Sequence, residues 1–118
     1  MARNHVSPGE HIAFTAAADV SSGAGVAIGT MLGVALGNVA NGASGTAAIE
    51  GVWTLPKLST AVIAEGDRLI WDVSAGEFIV AGAATGDLLN CAVAVEAAGN
   101  GTTTVNAKLT PGAGSISA

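Results

Sequence analysis

Seventeen glycines are spread through 118 residues, and this punctuation constrains the fold more than any other feature of the chain. An interior glycine costs a helix about 1 kcal/mol relative to alanine, so long helices are excluded. Turns and strand ends accommodate glycine readily. Between the glycines run short apolar segments with period-2 alternation, such as His11-Ile-Ala-Phe-Thr15, in which Ile12 and Phe14 share one face.

Large apolar side chains concentrate in one block, Glu50 to Asp72, which reads EGVWTLPKLSTAVIAEGDRLIWD and holds both tryptophans and two of the four cations. Trp53, Leu55, Leu58, Leu69, Ile70 and Trp71 can anchor a core there, with Gly66-Asp67 reversing the chain. Elsewhere the core is thin. Half the residues are hydrophobic, but 25 are alanine, and the aromatic complement is two Phe, two Trp and no Tyr. At about 25 cal/mol per Å² such burial barely exceeds the conformational entropy lost on folding. A subunit of this kind gains from association, which removes roughly 800 Å² per partner at a standard interface.

The expected architecture is all-β, a small single-domain barrel or sandwich of short strands with glycine-rich turns. Strands are expected at 11–15, 26–29 and 31–36 with a hinge at Gly29-Thr30, and at 46–55 closing on Pro56. Two hairpins follow, 68–73 with 77–80 and 88–95 with 102–109. At most one short helix fits, near 59–65, with Ser59 or Thr60 at its start and Gly66 at its end. Residues 1–10 read as an N-terminal arm, 11–110 as the β domain and 111–118 as a flexible C-terminal tail.

Charge and motif content argue against chemistry. Nine acids against four bases give a formal charge of −5, and nucleic-acid binding normally gathers several phosphate-neutralising cations. Gly23-Ala-Gly25-Val-Ala-Ile-Gly29 is spaced GxGxxxG, not GxGxxG, and no GxxxxGK[ST] occurs, so neither dinucleotide nor ATP binding is indicated. His5, Glu10 and His11 are too few for a metal set, Pro8-Gly9 breaks their common face, and Cys91 stands alone. No cofactor or metal is expected. Ser44 lacks a GxSxG elbow, and no histidine follows it or Cys91. Glu65, Asp67, Asp72 and Glu77 read as solvated turn flanks, and Asn100-Gly-Thr102 as a turn. A lone thiol fits a reducing cytoplasm. The start of the chain has no apolar signal region, and Ala24 to Leu36 is too short and glycine-broken to span a bilayer, so no membrane partner is expected.

Taken in order, Asn4 with Pro8-Gly9-Glu10, Ser22-Gly23 with Val26 to Gly29, Gly33-Val34-Ala35, Glu50-Gly51-Val52-Trp53 with Leu55-Pro56-Lys57, and Gly66-Asp67 with Trp71-Asp72 resemble a family of tailed-phage and prophage capsid cement, or head decoration, proteins. The likeness runs from the arm to Val105-Asn-Ala-Lys-Leu109. One departure is Leu89-Asn90-Cys91-Ala92, where the pattern leads one to expect a glycine before the Val-Ala run. Members have often carried a recombinase label of the RecA/RadA type, which the missing phosphate loop and the acid excess oppose.

The resemblance implies a non-enzymatic protein on the outer surface of the icosahedral head, present in the host cytoplasm during assembly. It further implies the major capsid protein and the chain's own copies, as a trimer, as partners. The residues expected at capsid or subunit contacts are Arg3, Asn4, His5 and Val6 of the arm, together with Trp53 and Lys57. A competing expectation is a phage or bacterial receptor- or glycan-binding β module, with Trp53 and Trp71 exposed on a ligand groove.

Overall fold

The structure, a computed structural model, describes residues 9–117. Ten strands form two antiparallel sheets: β1 (His11–Thr15), β2 (Gly25–Ile28), β3 (Met31–Ala35), β4 (Ser44–Ala48), β5 (Val52–Pro56), β6 (Arg68–Asp72), β7 (Glu77–Ile79), β8 (Leu88–Ala94), β9 (Thr104–Leu109) and β10 (Ser115–Ile116). The first sheet has the order β1-β4-β3-β2 and the second β5-β9-β8-β6-β7, with β10 pairing β8 off that path. The all-β expectation holds, as an arrangement of two sheets. A closed barrel does not form. The edge strands of the second sheet meet through a single parallel bridge, Lys57 to Phe78, where Leu58 N–H donates to the Phe78 carbonyl at 2.9 Å.

The larger core lies within the second sheet, where alternate residues Leu69 and Trp71, Ala92 and Ala94, and Val105, Ala107 and Leu109 point inward. Leu32 and Val34 of β3 join it and so attach the first sheet. Trp71 and Phe78 anchor it edge to face, with ring centroids 4.9 Å apart at 79°. A smaller cluster, Phe14, Ala16, Ala35, Val39 and Ala47, fills the first sheet. The alanines serve here as spacers, because facing strands can approach closely only over small side chains.

Three local features depart from the sequence reading. The expected strand 46–55 is broken at Gly51, whose φ of 101° suits glycine alone, and its halves, β4 and β5, enter different sheets. Residues 59–65, where one short helix was allowed, form no helix: between turns at 59–60 and 65–66 the chain runs extended, with Ala61 and Ile63 buried, Val62 exposed, and Ile63 exchanging both backbone hydrogen bonds with Ala98 at 2.9 Å. Pairing across the sheet satisfies two backbone groups and buries Ile63, which an isolated helical turn would not do. The segment after Pro111, expected as a tail, carries β10, with Ser117 N–H donating to the Asp87 carbonyl at 2.9 Å.

Asn90 explains the departure in the Leu89-Asn-Cys-Ala run. Its φ of 56° is a left-handed conformation, which asparagine tolerates better than most residues. The β6–β8 register shifts at this point, between Leu69↔Ala92 and Trp71↔Leu88. Two extra residues of β8 are thereby accommodated, and the strand is divided into a half that pairs β10 and a half that pairs β9.

Candidate interaction surface

The sequence-predicted contact residues do not form one patch. Arg3, Asn4, His5 and Val6 lie outside the described residues. The point where that segment joins the domain is visible as a cleft of about 340 Å³ lined by Glu10, His11, Glu50, Gly51 and Trp53. Trp53 is half-buried there, its indole N–H donating to the Glu50 carbonyl at 2.9 Å. A Cβ on Gly51 would stand 3.3 Å from the indole nitrogen, so the glycine turn that splits the sheets also seats this ring.

The cleft adjoins a sheet edge at which, among the described residues, β1 pairs only with β4. Ile49 N–H donates to the Glu10 carbonyl, and Ala16 N–H to the Ala43 carbonyl, each at 3.0 Å. By alternation, the backbone groups of His11, Ala13 and Thr15 point away from β4.

Lys57 sits at the opposite end of β5 from Trp53, about 13 Å along the strand at ordinary strand rise, and it is not on the surface. It is only 2% exposed. Its ammonium donates to four carbonyls: Thr102 at 2.8 Å, Leu58 at 2.9 Å, Gly99 at 3.2 Å and Ser59 at 3.4 Å. A flexible stem and a compact, three-donor head allow lysine to fill such a cage, which the planar fork of arginine does not match. The expected contact role for this side chain gives way to a structural one. It ties the loop after β5 to the loop between β8 and β9.

Trp71 is likewise internal, 3% exposed, so the paired-tryptophan ligand groove has only one accessible ring. Asp87 is buried too, its carboxylate accepting from Ala84 N–H at 2.9 Å and Val73 N–H at 3.2 Å. Cys91 packs in the main core, and burial pushes its thiol up from the ordinary 9.0 to about 11. A thiol held protonated in this way is a poor nucleophile. Among the described residues, no three His, Cys, Asp or Glu side chains gather as a metal site would require.

What the surface offers is therefore strand edges, valines and unevenly placed charge. A family model described as phage cement protein matches residues 6–109, most of the sequence and nearly all of the two-sheet domain. The chain belongs to the phage cement protein family. Among curated proteins, none matches it. This cement protein thus has a role as phage capsid cement, and its family is a structural one associated with the capsid of the virion.

The sequence reading singled out Trp53 but passed over Arg68 and Lys108, the exposed cations of the second sheet. Strict alternation in Thr104-Val-Asn-Ala-Lys-Leu109 was the available signal, since it places Lys108 opposite the buried Val105, Ala107 and Leu109.

Proposed function

We propose that this cement protein binds the outside of the icosahedral head as a trimer, contacts the major capsid protein, and reinforces the shell without catalysing a reaction. The observation that carries this reading is the family match over residues 6–109, a span that covers β1 to β9 of the two-sheet domain.

Two physical features support it. The acid excess, −5 over the chain, disfavours a position against packaged DNA and favours the outer face. The small core makes association a substantial part of the stability, and many copies acting together resist internal pressure even where each contact is modest. Residues 1–10 serve as the arm, with Arg3, Asn4, His5 and Val6 reaching a neighbouring subunit or the shell, and the cleft at Trp53 forms its root.

The test is occupancy of undecorated heads. Full-length protein is expected to co-sediment with such heads and to raise the temperature at which they rupture, and removal of residues 1–9 is expected to reduce occupancy. Unchanged occupancy after that deletion would take the arm out of the account. Failure of the full chain to bind heads at all would overturn the reading.

A further inference from the structure

Of the four cations, Lys57 is enclosed by carbonyls and Arg3 lies outside the described residues. The described surface is left with Arg68 and Lys108. Nine acids less the buried Asp87 leave eight that reach solvent. The two cations share one row, with Glu50 lining the same cleft as Lys108 at one end of it. Register places Arg68 opposite Val93, Val93 opposite Lys108, and Lys108 opposite Val52, which is one continuous cross-strand row on the outer face of the second sheet.

Three strand spacings make this row about 14 Å wide. Val52 at its end is 55% exposed. The neighbouring row, Thr54, Asn106 and Val95, also carries no carboxylate. An apolar centre flanked by cations on an otherwise acidic molecule is a surface suited to an acidic partner.

The β6–β7 hairpin offers the complement. Asp72 and Glu77 stand directly opposite each other, an arrangement of like charges that costs stability in an isolated sheet. Asp72 is held in place by Ser74 Oγ at 2.9 Å and Ala75 N–H at 3.2 Å. Val73 beside it is 46% exposed. Each patch thus presents an exposed valine next to a charge pair, and the signs are opposite.

Within one chain, Arg68 and Asp72 lie at opposite ends of β6, about 13 Å apart at ordinary strand rise. A second molecule can bring the patches together directly. We propose that the occupant of the Arg68–Val93–Lys108–Val52 row is a second copy of this chain, docking through the Asp72–Glu77 hairpin. Arg68 and Asp72 share the outer face of β6 by alternation, so two copies can satisfy both contacts reciprocally about a two-fold axis, and the same contact taken head-to-tail closes a ring. This deepens the self-association in the proposed function and rests on that reading.

The experiment is sedimentation velocity on the full chain without phage heads, at low and at high salt. Wild type is expected to associate, and less so as salt screens the contact. R68E/K108E and D72K/E77K are each expected to weaken association by about tenfold or more, because like charges then face one another. Their equimolar mixture is expected to recover pairwise association, read as a dimer because a three-membered ring of two kinds keeps one like-charged contact, since the reversed row of one matches the reversed hairpin of the other. That recovery also shows that both variants fold.

Wild-type protein that remains monomeric, reversal variants that associate as wild type does, or a mixture that fails to recover would each overturn the proposal. Head binding is read separately by pelleting. A monomeric R68E/K108E that still pellets with heads leaves the cement reading in place, whereas self-association without head binding in the wild type removes only the cement reading.

Discussion

Replacing Lys57 by methionine keeps the length of the stem and removes the ammonium from its four-carbonyl cage. The loss is smaller than four hydrogen bonds, because three of the carbonyls keep another donor: Leu58 from Ala61 N–H, Ser59 from Gly101 N–H, and Gly99 from Thr102 N–H and hydroxyl. The Thr102 carbonyl depends most on the ammonium, which is its shortest partner at 2.8 Å. Thr102 itself is exposed, so orphaning its carbonyl costs toward the lower part of the range of about 1–3 kcal/mol for a lost acceptor, and charged hydrogen bonds are the stronger kind. Relief from burying a charge offsets part of that loss. The net expectation is a destabilisation of about 1–2 kcal/mol, which for a domain of this size lowers Tm by roughly 4–8 °C. Calorimetry at fixed protein concentration measures it. Native-state hydrogen exchange locates it, since the amides of Ala61 and Gly101 should lose protection before those of Leu69 or Ala92. Lys57→Arg should recover little of the stability. A Tm within about 1 °C of wild type for Lys57→Met, or a loss of protection spread evenly over both sheets, would refute the clamp.

Three further outcomes follow from the packing. Cys91 titrates at about 11 when folded and near 9.0 when unfolded, so the unfolded chain gives up its proton first and stability falls as pH rises through this window, by at most about 2–3 kcal/mol. Urea melts at pH 8.5 and 10.5 should show a larger fall in the wild type than in Cys91→Ala. Gly25→Ala would place a Cβ 2.6 Å from Cζ2 of Trp71, a ring already fixed against Phe78; a loss of about 1–3 kcal/mol and an altered near-ultraviolet tryptophan signal are expected, and unchanged spectra would contradict the packing. Asn90→Gly should be neutral or slightly stabilising, whereas Asn90→Val at φ 56° should cost about 1–2 kcal/mol, measurable by the same melts; equal melts for the two variants would mean that the left-handed turn is not needed.

The sequence determined the class of fold through local physics. Glycine at short intervals forbids long helices, and alternation in His11–Thr15, Arg68–Asp72 and Thr104–Leu109 assigns one face of each strand to the core. The Leu89–Ala92 run stands out only as a departure from the pattern of the resembled family, and the bulge at Asn90 lies there.

Tertiary structure decided what depends on partners distant in the chain. Whether 46–55 is one strand or two turns on which sheet each half can pair with, and Gly51 resolves it. Whether 59–65 coils or extends depends on Ala98, 35 residues beyond Ile63. Lys57 reads as a surface cation in any local window, and only the approach of Gly99 and Thr102, more than 40 residues away, turns it inward. The row of Arg68, Val93, Lys108 and Val52 has no counterpart in sequence order, because strand register assembles it from four separate strands. Periodicity fixes which way a side chain faces along its own strand, and pairing across strands fixes which other side chains it meets.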